Sequence, residues 1–231
     1  MWQVTALTLF PDMFPGPLGY SLAGRALEEK LWSLDAVDIR KFGKGKHADV
    51  DDKPFGGGAG MVMRPDVLGD AVDSLKNVNK IIYMSPRGQV LNQAKTQEFL
   101  SYEHVAIICG RYEGIDQRVL DHYEVEEVSI GDYILSGGEI AALTMIDACV
   151  RQISGVLGNA LTLKEESFGV GDQCDLLEYP LYTRPAEWED KKVPSILLSG
   201  NHGEVDRWRL QQSEAITKER RPDLWARYQK D

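Results

Sequence analysis

Apolar residues along this chain fall into short β-branched runs that alternate with longer helical-period stretches, a pattern that predicts strands and helices in turn. Residues 2–10 read as a buried first strand closed by Phe10, Pro11 and Asp12, and Ser21 is placed to cap a helix reaching about Trp32. A second strand is predicted over 36–42. The twenty-one residues from Gly43 to Met63 then show no period, behaviour that in a compact domain marks a functional or disordered loop. Pro65 suits the first turn of a helix running to about Leu75.

Three strand-then-helix units follow. Strands at 80–84, 104–109 and 125–130 are each succeeded by a turn and a helical pattern, at 92–102, 115–123 and 140–153. Such alternation predicts an α/β fold with a largely parallel sheet. The turns are S-P-R-G at 85–88, G-R-Y-E-G at 110–114 and S-I-G-D-Y-I-L-S-G-G-E at 129–139. Loops leaving successive parallel strands meet at the C-terminal edge of the sheet, where ligands bind. One glycine turn could merely be tight; three in succession point to a site.

Beyond Gly158 the pattern breaks. Residues 159–178 read as a linker between an α/β domain at 1–158 and a small, mainly helical domain at 179–231. Composition excludes several classes. No apolar run approaches the roughly 20 residues of a membrane helix and no signal peptide is evident, so a cytoplasmic protein without a membrane partner is expected. Three cysteines, Cys109, Cys149 and Cys174, fit neither a disulfide framework nor a zinc site and are expected to be buried thiols. A net charge of -10 argues against a broadly basic nucleic-acid binder. Local clusters remain: Arg40, Lys41, Lys44, Lys46 and His47, and later Arg207, Arg209, Lys218, Arg220 and Arg221. Either could contact a polyanion or be a solvated face balanced by acids. The glycine-rich run 56–60 lacks the Gly-Lys-Ser/Thr of a P-loop, and no G-x-G-x-x-G announces a dinucleotide site.

Several motifs together resemble one family. D-D-K-P-F-G-G-G-A-G-M-V-M, S-P-R-G, G-R-Y-E-G-I-D, S-I-G-D-Y-I-L-S-G-G-E, Y-T-R-P, L-L-S-G-N-H and R-W-R occur in the order found in bacterial tRNA (guanine-N1)-methyltransferases. These belong to the trefoil-knotted (SPOUT) methyltransferase class. The resemblance spans nearly the whole chain and implies a deep knot, which the residue pattern alone does not suggest. It implies methyl transfer from S-adenosylmethionine to N1 of the tRNA guanosine 3′-adjacent to the anticodon, position 37. It further implies a homodimer with its active site at the subunit interface, and a tRNA partner. Magnesium dependence is a family trait for which no ligand cluster is visible, so no metal site is assigned.

Carried over by motif, the cofactor-binding positions are Met84, Ser85, Pro86, Gly110, Tyr112, Glu113, Gly114, Ile130, Gly131, Asp132, Tyr133, Ile134, Leu135, Gly137 and Gly138. Ile130 and Leu135 offer apolar faces to an adenine, and glycine turns expose backbone groups to its edge. The resemblance makes Glu166 the general base and Arg151 the partner of the developing oxyanion, with Lys44, Lys46, His47, Arg207 and Arg209 toward tRNA. Adjacent Glu165 is a rival for the base, and Arg151, one turn after Asp147, could equally be a surface ion-pair residue. Three departures from the family pattern are Glu166 and Glu178, where aspartate is common, and Ala59, where proline is usual. Alternatives are a knotted methyltransferase acting on another RNA nucleotide and a non-catalytic RNA-binding protein. No cysteine is placed as a methyltransferase nucleophile.

Overall fold

The computed structural model describes residues 1–159, 162–169 and 174–229. It divides into two compact units, Met1–Gly158 and Asn159–Asp231.

In the first unit the chain runs β1 (Trp2–Thr8), α1 (Ser21–Glu28), β2 (Trp32–Asp38), β3 (Asp51–Asp52), β4 (Val62–Met63), α2 (Pro65–Asp73), β5 (Lys80–Val90), α3 (Gln93–Leu100), β6 (His104–Ile108), α4 (Gln117–His122), β7 (Glu126–Ser129) and α5 (Glu139–Val150). Five of these strands form one parallel sheet in the order β2-β1-β6-β5-β7. The period of two along each strand feeds two cores. Trp2, Trp32, Ile107 and Ile82 pack with Phe99 of α3 and Met145 and Ile146 of α5 on one side. On the other, Leu7, Tyr83 and Ile108 meet Val67 and Leu68 of α2 and Val119 of α4. Helices therefore cover both faces, as a sheet of parallel strands requires. Apart from these five strands, β3 and β4 form a small antiparallel pair inside the aperiodic loop.

The order of strands positions the site. Because β6, β5 and β7 are neighbours, the segments leaving them converge although they are spread along the sequence. The turn expected at 85–88 is not the end of a strand. It is an excursion within β5: Met84 and Gln89 both pair with Val128, and the ladder resumes at Val90 opposite Ser129. Pro86 has no N–H for the ladder, and Gly88 lies against the backbone of Glu127, where an added Cβ would stand 2.3 Å from its carbonyl.

Three boundaries correct the sequence reading. Trp32 does not end a helix: α1 stops at Glu28, Lys30 follows in the left-handed region at φ 59°, and Trp32 opens β2 opposite Trp2. Ser21 is the first helical residue and not a cap, with no side-chain hydrogen bond at that end. The second strand spans Trp32–Asp38, and Ile39–Phe42 winds into a 3-10 turn because the Asp38 carboxylate accepts from the Arg40 amide. Asn92 and Asp116 do cap α3 and α4, accepting from Lys95 N and Arg118 N.

The second unit contains α6 (Thr162–Glu165), the short pair β8 (Glu187–Trp188) and β9 (Lys191–Lys192), a 3-10 turn at Ser195–Leu198, α7 (His202–Arg220) and α8 (Pro222–Tyr228). The short helix α6 falls in the stretch read as a linker. Asn201 caps α7, and Leu224 of α8 is buried. Among the described residues no helix is long and apolar enough to cross a membrane.

Candidate active site

At the C-terminal ends of β6, β5 and β7 lies a cavity of about 370 Å³. Its wall draws Met84, Ser85 and Pro86 from the β5 excursion and Gly110, Tyr112, Glu113 and Gly114 from the loop after β6. The loop after β7 adds Ile130, Gly131, Tyr133, Ile134, Leu135, Gly137 and Gly138. Asp132 belongs to the same loop but is not among the residues that line the cavity.

The loops are tied to one another. Gly138 N donates to Gly110 O at 2.9 Å, joining the second and third, and the Ser129 hydroxyl accepts from Gly131 N at 3.1 Å. Tyr133 N and its hydroxyl return to Gly131 O and Ile130 O, which curls the loop on itself. Buried Tyr83 underlies the cavity, its ring so close to Gly110 that an added Cβ would come within 2.6 Å. Burial raises the Tyr83 phenol above its ordinary value. Tyr112 is raised by burial and then by the neighbouring Asp51 carboxylate.

The glycine-rich stretch of the aperiodic loop is docked beside this wall. Glu113 N donates to Met61 O at 3.0 Å and Met63 N to Gly114 O at 2.9 Å, and Gly60 leaves room for the Glu113 side chain. Phe55, at 98% exposure, stands in solvent.

Other lining residues, Tyr83, Arg111, Val128, Ser129, Ser136 and Ala141, were not singled out from the sequence. The chief omission is an ion pair. Arg111 Nη2 stands 2.9 Å from Glu139 Oε2, and Glu139, first residue of α5, is fully buried. Both residues sit inside quoted motifs, G-R-Y-E-G and S-G-G-E. The signal available was a charged residue opening a largely apolar helix, but its partner lies 28 positions away, too far for a pairing rule to find.

Arg151 closes α5 as its C-cap in the first unit, its amide donating to Asp147 O at 3.1 Å. Glu166 follows α6 in the second unit, half-buried, with its amide on Thr162 O. Glu165 is exposed and receives the Tyr179 hydroxyl at 3.3 Å. The two candidate groups thus lie in separate units.

Among the basic residues, Lys44 pairs with Asp70, whereas Lys46 and His47 are exposed. Arg207 reaches back to Gly203 O at 3.4 Å. Arg209 lies 3.6 Å from Asp206 and stacks 4.8 Å over the Tyr179 ring, while Trp208 meets Tyr182 at 6.3 Å. Within the second unit, then, Y-T-R-P and its preceding tyrosine join R-W-R in one aromatic and cationic surface. Cys109 and Cys149 are buried, the latter's thiol pushed up to about 12 by burial. Cys174 is exposed, contrary to the sequence reading, because it lies in irregular chain and not on a core face.

Comparison with known proteins agrees in extent with the motifs. Residues 2–227 match the family model described as tRNA (Guanine-1)-methyltransferase TrmD. A tRNA (guanine-N(1)-)-methyltransferase of Wolbachia pipientis wMel is 56% identical over 226 residues, covering 96% of this chain and 95% of the relative. Proteins of the same name from Ruegeria pomeroyi and Gluconobacter oxydans are each 53% identical, over 99% and 98% of this chain and 94% and 96% of their own lengths.

Proposed function

The chain belongs to the tRNA (guanine-1)-methyltransferase family, and from that premise we propose that it methylates N1 of the tRNA guanosine 3′-adjacent to the anticodon, position 37, with S-adenosylmethionine as donor. The observation that carries the reading is the convergence of three separate loops on one cavity. A cavity of about 370 Å³ falls in the range of small-molecule sites. Its lining suits this cofactor. Ile130 and Leu135 supply apolar surface for an adenine, Gly110, Gly131 and Gly138 leave their part of the wall free of side chains, and the Glu113 carboxylate can receive an amine. When bound, S-adenosylmethionine supplies an activated methyl group on a positive sulfonium.

The protein's own work is then proton removal and charge stabilisation. N1 of guanine carries a proton at neutral pH, so the nucleophile needs a base. We assign that role to Glu166, as family resemblance suggests, and to Arg151 the negative charge that develops on O6. Resemblance likewise supports a trefoil knot formed by the cavity loops, a cytoplasmic homodimer with the active site at the subunit interface, and tRNA contact through Lys44, Lys46, His47, Arg207 and Arg209. Among the described residues no group of three or more His, Cys, Asp or Glu is arranged to hold a metal ion, and magnesium is given no residue.

Methylation of one tRNA and of the same tRNA with that guanosine replaced tests the assignment. Transfer only to the first is expected. Equal transfer to both would favour a knotted methyltransferase of another nucleotide, and cofactor-independent tRNA binding without transfer would favour a non-catalytic RNA-binding protein.

A further inference from the structure

Beneath the cavity, a fully buried carboxylate, Glu139, is paired with the partly buried guanidinium of Arg111 where apolar side chains would cost less. Removing an ion pair from water carries a desolvation penalty that its attraction often fails to offset, so such a pair is a poor device for stability alone. What it offers is fixed geometry.

Glu139 is hydrogen-bonded through Oε1 and meets its cation at Oε2, a close charge contact and not an aligned hydrogen bond. Thr8, the last residue of β1, donates its hydroxyl to Oε1 at 2.8 Å, and Arg111 Nη2 stands 2.9 Å from Oε2. The same Thr8 oxygen accepts from Phe10 N at 2.9 Å, and the Phe10 ring lies 4.3 Å from the Arg111 guanidinium. The β1 terminus thus supplies both an anchor for the carboxylate and a flat floor for the cation.

Arg111, so held, reaches the cavity wall. Its Nη1 donates to Ser136 O at 3.3 Å, and its Nε is packed so closely on Gly137 that a Cβ there would stand 2.3 Å away. The guanidinium therefore lies between the Phe10 ring and the 136–138 backbone. That backbone is glycine at two of three positions, so apart from the Gly138 N–Gly110 O bond and the start of α5 no side chain of its own restrains it.

We propose that Glu139 is a positioning residue for cofactor binding: with Thr8 it locks Arg111, and Arg111 holds the Ser136–Gly138 wall in its binding conformation. The inference rests on the cavity being the S-adenosylmethionine site. Glu139 touches neither cofactor nor tRNA in this role. Its charge is what matters, since a neutral amide of the same shape keeps the Thr8 bond but holds the guanidinium less firmly.

The test measures S-adenosylmethionine binding by calorimetry on the full chain, beside thermal midpoints and steady-state constants for both substrates. Glu139→Gln should raise the cofactor dissociation constant and KM on the order of tenfold, as loosening of a binding wall does, while the tRNA KM stays within about twofold. Arg111→Met should weaken the cofactor similarly, and the double variant should be no worse than the weaker single, because both break one chain of contacts. Thr8→Val keeps the shape and the ion pair and should show a smaller loss confined to the same constant. A lowered thermal midpoint with unchanged cofactor affinity in these variants would reduce the pair to fold support and overturn the proposal, as would fully additive losses. If Glu139→Gln did not fold, Thr8→Val would decide by the same two readings. Failure of the unaltered protein to bind the cofactor would reject the functional reading and this inference together.

Discussion

At the scale of single residues, the chemistry to be tested is concentrated in Glu166 and Arg151. Glu166→Gln removes the proposed base and Arg151→Ala the proposed oxyanion partner. Each should lower turnover by on the order of a hundredfold, with S-adenosylmethionine affinity little changed. Single-turnover methylation and calorimetry separate the two effects, and an equal loss in Glu165→Gln would move the base by one position. The Tyr179 hydroxyl on Glu165 gives that rival a partner of its own. A second expectation concerns the thiols. Burial raises Cys109 well above its ordinary value, with the Glu139 charge adding to the effect, and raises Cys149 to about 12. Both therefore stay protonated at neutral and mildly alkaline pH, and thiolate is the reactive form. Native protein should displace one equivalent of aromatic thiolate from an aromatic disulfide reagent, through Cys174, and three equivalents after denaturation. Fast labelling of a second thiol would show that the sheet opens at the cavity floor or under α5. Which loops line the cavity was readable from glycine turns after strands, while the individual lining residues came from the family resemblance. The partnership of Arg111 and Glu139 was readable from neither, since it depends on β1, β6 and α5 meeting in space.

The elements were legible where one period persisted and ambiguous where an apolar residue fitted two. Trp32 continues the helical stripe of Leu27 and Leu31, yet a left-handed residue at Lys30 ends the turn and gives Trp32 to the sheet, where it is fully buried. Tertiary packing decided what propensity left even. The β5 excursion was read as a terminal turn for a similar reason: Pro and Gly mark a break in pairing without saying whether the ladder resumes. Here it does, because Val128 serves as partner on both sides of the break. That geometry makes Gly88 the tightest point of the element. Gly88→Ala would press a methyl group into the Glu127 backbone at 2.3 Å, where no flexible side chain can yield. It should destabilise the fold by roughly 1–3 kcal/mol, the usual cost of overpacking, and open the excursion that supplies Ser85 and Pro86 to the cavity. A shifted urea midpoint together with weakened S-adenosylmethionine binding is expected. An unchanged midpoint would mean that β5 and β7 separate there without cost.

For the whole molecule, a parallel α/β sheet with its site at the C-terminal edge followed from the alternation of elements, because parallel strands need crossovers and crossovers put the outgoing loops on one side. The strand order that brings 85–88 between 110–114 and 130–138 did not follow, since local pattern carries no record of which strands become neighbours. Nor does local pattern say what covers the cavity loops. Ile134 is 79% exposed and Ile140, at the head of α5, 52% exposed, large apolar side chains beside a ligand cavity. Burial of such residues against a second copy would contribute to association and would close the site, in keeping with the proposed homodimer. The prediction is one of complementation. Gly110→Ala, whose new methyl would strike the Tyr83 ring, should disable the proposed cofactor loop, and Glu166→Gln the proposed base. If each active site takes its cofactor loop from one chain and its base from the other, a mixed dimer keeps one intact site of its two. With random exchange half of all dimers are mixed, so about a quarter of full activity should return from two nearly inactive proteins. A lack of recovery despite subunit exchange, followed by mass spectrometry of differently labelled chains, would place cofactor loop and base in one subunit.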